Sequence, residues 1–436
     1  MNQSKKYFIE TYGCQMNVYD SELVAGILEK ETYQRADSVE EADIIFLNTC
    51  SVREHAEDKV HARLGVLREQ KERHPDTIIG VLGCMAQNLR DDLLVKKPYV
   101  DVILGPDSYR RLPELLQKHA GPMDHVVDTK LSRMEVYEGL FPARREGVGA
   151  WVSIMRGCDK FCTFCIVPFT RGRERSRTVA SIVDEVQKIA ADGFKEVTLL
   201  GQNVNSYRSE GASFPELLQA VSNIQGIERI RYTSPHPQDF DDDLIAVHAH
   251  NPKVCNHIHF PLQAGSDAIL SRMNRTYTRQ HFLDMSERMR RAIPGLALST
   301  DIIVGFPGET EADFQETLDV MHAVKFDSAF TFKYSARPGT KAAEYADSVP
   351  EEVKQNRLER LIDIQRQHTL ERNRAHVGET QVVLVEKDSK KSTHQHMART
   401  RNNKIVVFDK GSERVGDFVK VKITGAEGVT LFGELV

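Results

Sequence analysis

The stretch Trp151-Val152-Ser153-Ile154-Met155-Arg156-Gly157-Cys158-Asp159-Lys160-Phe161-Cys162-Thr163-Phe164-Cys165 decides how this chain is read. The apolar run Trp151 to Met155 predicts a strand, and three cysteines at C-x3-C-x2-C spacing follow it in one loop. Thiolates gathered in this way can hold three irons of a cubane iron–sulfur cluster and leave the fourth iron open to a ligand. The rival is a zinc knuckle, which asks for a fourth Cys or His close by, and His55 and His61 lie far upstream. Phe161 and Phe164 between the cysteines would keep water from the cluster and so tune its potential.

Downstream, apolar runs recur at Val197 to Leu200, Arg229 to Thr233, Ile258 to Leu262, Leu298 to Val304 and Ala329 to Tyr334, each followed by a helical pattern. Six βα units predict a partial (βα)6 barrel, whose active face lies at the C-terminal ends of its strands. A long charged helix at about Pro350 to Arg374 closes this block. Beyond it, Gln381 to Val385, Lys404 to Phe408 and Phe418 to Ile423 alternate like strands, predicting a small antiparallel β-barrel.

Upstream, Tyr7 to Thr11, Ile44 to Leu47, Ile78 to Leu82 and Val102 to Leu104 are strand candidates separated by helical patterns. That alternation predicts a Rossmann-like parallel sheet. Cys14, Cys50 and Cys84 each follow one of these strands, 36 and 34 residues apart. One βα unit takes about 30 residues or more, so the three emerge on one edge of the sheet, where α/β folds place their ligands. That suits a second three-thiolate cluster; buried structural cysteines are the other reading. Gly13 and Gly83 favour the cluster, because glycine lets backbone approach a bulky group. Cys255 has no partner in this pattern and reads as structural. Between residues 121 and 147 the periodicity lapses, as in a linker. The expected organisation is therefore an α/β domain over 1–120, a linker over 121–147, a barrel over 148–374 and a β-barrel over 375–436.

The chain has 436 residues, 40% of them hydrophobic and 28% charged, an ordinary globular composition for two to four domains. Its 58 Lys and Arg against 63 Asp and Glu leave −5, which excludes a uniformly basic nucleic-acid binder. No secretory signal or membrane-length apolar run is present, so a cytoplasmic monomer is expected, in which the seven cysteines stay reduced. Basic charge is local: Arg156 to Arg177 holds six basic residues against two acidic ones, and Lys390, Lys391, Arg399, Arg401 and Lys404 gather near one C-terminal hairpin. Both groups are candidates for phosphate contact.

As a whole the chain resembles the methylthiotransferase family of radical SAM enzymes, which joins a domain with three separated cysteines, a radical SAM barrel and a TRAM-type RNA-binding barrel. The resemblance rests on Tyr12-Gly13-Cys14-Gln15-Met16-Asn17, Arg156 to Pro168 and Gly201-Gln202-Asn203-Val204-Asn205-Ser206-Tyr207. Gln15-Met16-Asn17 points to the branch acting on N6-isopentenyladenosine in tRNA. Branches acting on a ribosomal protein side chain or on threonylcarbamoyladenosine in tRNA are the alternatives.

The family implies conversion of the isopentenylated adenosine at tRNA position 37 to its 2-methylthio form, with two 4Fe-4S clusters and S-adenosyl-L-methionine (SAM). One SAM would donate a methyl group to sulfur associated with the cluster at Cys14, Cys50 and Cys84. A second would be cleaved at the cluster of Cys158, Cys162 and Cys165 to a 5′-deoxyadenosyl radical. The protein's share is positioning and exclusion of solvent. Partners implied are the tRNA anticodon arm, a cellular electron donor and iron–sulfur assembly machinery, with no membrane. The resemblance also suggests that SAM meets the turns carrying Gln202 and Asn203, Ser234 and His236, Gln263, and Gly305. It makes Arg275, in Met273-Asn274-Arg275-Thr276-Tyr277, a candidate to anchor a carboxylate or phosphate.

Overall fold

The structure, a computed structural model, describes every residue except 1–3, 52–53, 120, 122–123 and 146, and the side chains of 54–56. His55, a distant candidate for a zinc ligand, is among those undescribed side chains.

The first sheet is wholly parallel, in the order β2-β1-β3-β4-β5-β6. Its strands are β1 (Lys6–Tyr12), β2 (Gln34–Arg35), β3 (Ile44–Thr49), β4 (Ile78–Gly83), β5 (Val102–Leu104) and β6 (Val126–Asp128). Helices α1 (Gln15–Lys30), α2 (Glu54–Arg73), α3 (Cys84–Leu89), α4 (Asp91–Lys96) and α5 (Leu112–Lys118) join them. Every residue of β3 and β4 is buried, as parallel strands covered on both faces must be.

Residues 121–147, which read as a linker, supply edge strand β6 to this sheet. Tyr137 from the same stretch is buried and stacks on Tyr109 with ring centres 5.8 Å apart. A strand of three residues is too short to print a periodicity, which is why the sequence pattern lapses there.

The second block opens with β7 (Gly149–Ser153), β8 (Met155–Arg156), α6 (Val167–Arg171), β9 (Arg175–Ser176), α7 (Val179–Ala191) and β10 (Glu196–Leu200). A hairpin, β11 (Arg208–Ser209) with β12 (Ala212–Ser213), precedes α8 (Phe214–Ser222), β13 (Arg229–Tyr232) and α9 (Asp242–His250). Then come β14 (His257–His259), α10 (Asp267–Arg272), α11 (Arg279–Ala292), β15 (Ala297–Val304), α12 (Glu311–Val324) and β16 (Ser328–Lys333). Strands β7, β10 and β13 form one parallel set and β14, β15 and β16 another, linked by a bridge between Ile230 and Val254. Together they make the six-stranded partial barrel. Strand β8 pairs antiparallel with β9 and pinches the neck of the cysteine loop.

The long helix α13 (Glu351–Arg374) packs against β16 and leads to a closed barrel of β17 (Thr380–Ser389), β18 (Ser392–Thr400), β19 (Ile405–Asp409), β20 (Phe418–Glu427) and β21 (Thr430–Leu435). Its pairings are antiparallel except β19 with β21, which is parallel. The small barrel is bolted to the large one. Arg229 and Arg231 of β13 donate to the carbonyls of Val382, Arg399, Thr400 and Arg401 at 2.7–3.0 Å. Arg401 in turn donates to the Val254 carbonyl at 2.7 Å, and Lys404 pairs with Asp327 at 2.6 Å. Among the described residues no helix is long and apolar enough to cross a membrane.

Candidate active site

The strand-end edge of the first sheet brings the three upstream cysteines together. Cys14 caps α1, Cys50 follows β3, and Cys84 begins α3. At Gly13 the backbone is left-handed, φ 136°, and a Cβ there would stand 2.6 Å from the Cys50 Cβ. At Gly83, φ 90°, a Cβ would stand 2.7 Å from the Thr49 carbonyl oxygen. Only glycine lets these loop ends approach so closely.

A buried amide pair fixes them. Asn17 Nδ2 donates to Asn48 Oδ1 at 3.2 Å, and Asn48 Nδ2 donates to the Asn17 carbonyl at 2.9 Å. The Cys14 amide donates to Asn17 Oδ1 at 3.3 Å. The hydrogen bond from the Cys50 side chain, opposed by burial and helped by Arg171, pulls the Cys14 thiol down to about 6. Burial instead pushes the Cys84 thiol up, against the neighbouring Arg171.

In the barrel, Cys158, Cys162 and Cys165 share one loop and sense each other's charge. Burial raises Cys158 to about 11 and Cys165 to about 12. The segment Met273 to Tyr277 clamps this loop. Thr163 N donates to the Met273 carbonyl at 3.0 Å, and Asn274 Nδ2 donates to the carbonyls of Lys160 and Phe161 at 3.1 and 3.0 Å. Arg275 Nη1 donates to Cys162 Sγ at 3.3 Å, while its guanidinium lies over the Tyr277 ring. A cavity of about 400 Å³ opens beside Cys162 and Cys165, lined also by Phe161, Phe169, Asn274 and Lys341.

The other candidates divide into two kinds. Gln202 Oε1, Asn203 Oδ1 and His236 Nε2 are buried atoms without a hydrogen-bond partner at the C-terminal ends of β10 and β13. Such atoms ask for a ligand or water. His236 lies against Tyr277, ring centres 5.6 Å apart, and burial drives its pKa down to about 2. Ser234 and Gln263 have left-handed backbone, φ 58° and 69°, on the same face. Gly305 is occupied by its own fold: its amide donates to Glu309, and a Cβ would run into the Lys354 side chain.

The basic stretch Arg156 to Arg177 does not offer a phosphate surface. Arg156, Arg171, Arg175 and Arg177 are buried, and the first three pair with carboxylates of the first domain. Arg156 and Arg171 share Asp20 at 3.2 and 2.8 Å, Arg175 binds both oxygens of Asp107 at 2.9 and 3.1 Å, and Arg177 pairs with Glu185 at 2.5 Å. Lys160 pairs with Asp239 at 2.7 Å, and exposed Arg173 pairs with Asp159 at 3.0 Å. Local charge misled because the balancing carboxylates lie elsewhere in the chain. The C-terminal group is likewise reduced, since Arg399 pairs with Glu386 at 2.7 Å while Arg401 and Lys404 dock the two barrels. Lys390 and Lys391 remain exposed.

Asn48 and Asp20 escaped sequence reading, while Asn17 was read only as part of a family segment and Arg171 only as a candidate phosphate contact. A signal existed for one: Asn48 interrupts the apolar run Ile44-Ile45-Phe46-Leu47 two residues before Cys50.

Three family models match the chain: Uncharacterized protein family UPF0004 over residues 6–105, the Radical SAM superfamily over 152–321 and the TRAM domain over 374–436. Proteins named tRNA-2-methylthio-N(6)-dimethylallyladenosine synthase are similar end to end. That of Porphyromonas gingivalis is 50% identical over 444 residues, covering 100% of this chain and 96% of that protein. The Bacteroides fragilis protein is 48% identical with the same coverage, and the Syntrophomonas wolfei protein 48% identical over 99% of this chain and 97% of its own length. The chain belongs to the tRNA-2-methylthio-N(6)-dimethylallyladenosine synthase family.

The fold of this synthase family extends to solved structures. The radical S-adenosylmethionine methyltransferase TsrM of Kitasatospora setae, with cobalamin and a [4Fe-4S] cluster bound, superposes with a TM-score of 0.58 at 15% identity, covering 78% of this chain and 74% of that one. The cobalamin-dependent radical enzyme OxsB gives 0.55 at 13% identity, covering 83% and 56%.

Radical SAM membership calls for SAM and 4Fe-4S clusters. The residues present fit them: two thiol trios, one in a glycine-lined cradle and one beside a cavity, are soft donors of the kind iron–sulfur clusters take. Among the described residues no three Cys, His, Asp or Glu side chains converge as ligands of one metal ion. A cubane differs in that each cysteine binds its own iron, so its ligands stand wider apart.

Proposed function

We propose that the protein converts N6-isopentenyladenosine at position 37 of tRNA to its 2-methylthio derivative. The observation that carries this reading is that Arg171, six residues beyond the Cys158, Cys162 and Cys165 loop, reaches across the buried domain junction to Cys84 of the other trio, in a chain similar end to end to synthases named for that product. Cys158, Cys162 and Cys165 hold the cluster of the barrel, and Cys14, Cys50 and Cys84 hold the auxiliary one. When bound, these groups supply reductive cleavage of one SAM to a 5′-deoxyadenosyl radical and a sulfur centre methylated by a second SAM, the pair an unactivated aromatic C–H needs.

The chain's own residues orient and exclude. Asn274 and Thr163 hold the cysteine loop by its backbone, and Phe164, edge-on to Phe306, closes it toward the core. Gln202, Asn203 and His236 offer unpaired polar atoms to SAM. His236 stays neutral there, and because its Nδ1 accepts from the Gln238 amide at 3.3 Å, Nε2 carries the proton and donates one hydrogen bond without adding charge. Ser234, Gln263, Arg275 and Gly305 shape the same face.

The tRNA anticodon arm docks on exposed basic residues, with the target base unstacked to reach the cavity beside Cys162. The chain acts as a cytoplasmic monomer, served by a one-electron donor and by iron–sulfur assembly machinery.

The test is incubation of the anaerobically reconstituted protein with SAM, a reductant and tRNA carrying N6-isopentenyladenosine, followed by nucleoside mass analysis. A gain of 2-methylthio-N6-isopentenyladenosine is expected; 5′-deoxyadenosine without that product would overturn the substrate assignment.

A further inference from the structure

One residue of the barrel domain reaches the auxiliary cysteines. Arg171 ends α6, six residues after Cys165, and is buried. Its Nε donates to Cys84 Sγ at 3.2 Å and its Nη2 to Asp20 Oδ2 at 2.8 Å, while Nη1 is buried without a partner.

Charge at this junction does not balance. Three buried arginines, Arg156, Arg171 and Arg175, face two buried carboxylates, Asp20 and Asp107. Asp20 is divided between Arg156 and Arg171, so the Arg171 cation is only partly neutralised. A buried excess cation is costly unless an anion lies against it. Besides Asp20, the ionisable groups nearest this cation include the thiols of Cys84, which its Nε touches, and Cys14. A three-thiolate cubane is anionic and becomes more so on accepting an electron, so its charge fits the excess.

We propose that Arg171 is a positioning residue for the auxiliary cluster: it supplies an N–H···S hydrogen bond and a buried cation from the neighbouring domain, and thereby raises the cluster's reduction potential. Hydrogen bonds to the sulfurs, local charge and burial are the levers by which a protein sets such potentials. The auxiliary centre is then poised only when the two domains are docked. The inference rests on the assignment of Cys14, Cys50 and Cys84 to a cluster.

The test is a mediated redox titration, followed by electron paramagnetic resonance, of the full-length reconstituted chain carrying C158A, C162A and C165A, so that one cluster is read. Adding R171Q should leave iron content intact and make the reduced fraction at the parent's midpoint about tenfold smaller relative to oxidised, about 59 mV for one electron. R171K should recover part of that shift. R175Q, which breaks the Asp107 pair of the same junction without touching a cysteine, should shift the potential much less than R171Q does.

An unchanged potential in R171Q, or an equal shift in R175Q, overturns the proposal. Should R171Q lose the cluster, iron held by R171K supports the charge role, and its loss there too overturns it. A parent that binds no iron refutes instead the cluster assignment beneath.

Discussion

Arg156 and Asp20, 136 residues apart in sequence, meet at 3.2 Å in a junction from which water is excluded. The same Asp20 binds Arg171, so one carboxylate of α1 ties the first domain to both ends of the cysteine loop. Asp20→Asn leaves two guanidiniums short of a counter-charge. A loss of about 3–5 kcal/mol is expected, by the rule for breaking a buried pair from one side. Chemical denaturation monitored by circular dichroism measures it, and an unaltered midpoint would mean that the junction is hydrated in solution.

On the proposed assignment the two trios divide the iron. Replacing Cys14, Cys50 and Cys84 together with alanine should roughly halve bound iron while 5′-deoxyadenosine formation from SAM continues. Replacing Cys158, Cys162 and Cys165 should remove the other half and abolish that cleavage. Iron assay and chromatography of the SAM products read both.

The glycine cradle admits no Cβ. Gly83→Ala forces a side chain against the Thr49 carbonyl in a left-handed backbone, at a cost of about 1–3 kcal/mol in strain. Because Gly83 precedes Cys84, iron at the auxiliary trio should fall more than at the barrel trio. Mössbauer spectroscopy of the reconstituted variant separates the two.

His248 is buried against the Tyr232 hydroxyl at 2.6 Å, and burial lowers its pKa to about 4. The unfolded chain takes up this proton near its ordinary value of about 6.5 while the folded chain refuses it, so stability falls as pH drops from about 6.5 toward 4. His248→Gln should lose less stability than the parent between pH 7.5 and 4.5, by up to about 2–3 kcal/mol, one pKa unit being about 1.36 kcal/mol. Paired unfolding titrations at the two pH values decide it; equal losses would place a charged His248 in the folded protein.

Basic residues of the small barrel should separate into two classes. Lys390→Ala with Lys391→Ala should weaken tRNA binding and lower the slope of log K against log salt by about 1 for each phosphate no longer neutralised. Arg401→Ala should leave that slope alone and reduce thermal stability, since its guanidinium is spent on the Val254 carbonyl. Filter binding across a salt series distinguishes them.

The architecture was legible wherever an element carries a long apolar run. Strands β3, β4, β10 and β15 lie within a residue or two of their expected spans because burial on both faces writes itself into consecutive side chains. Strands β18 and β21 were hidden: Ser392-Thr393-His394-Gln395-His396-Met397-Ala398-Arg399-Thr400 alternates little, and its place is set by barrel closure. Spacing predicted the placement of both cysteine trios, one in a single loop after β8 and one at the strand ends of the first sheet, while their service as cluster ligands is a proposal. The arginines were not legible, because a sequence shows a cation but not the carboxylate that folding brings to it, and Asp20 and Asp107 lie in another domain.

The order in which the chain is made gives the junction a further meaning. Asp20 emerges 136 residues ahead of Arg156, an interval on the order of ten seconds at about 5–20 residues per second. Throughout that interval the first domain presents an acidic face still in water. Its final closure, and with it the Arg171 contact that covers Cys84, awaits a segment made only after the barrel's three cysteines, so the first trio is complete in the chain well before its junction can shut.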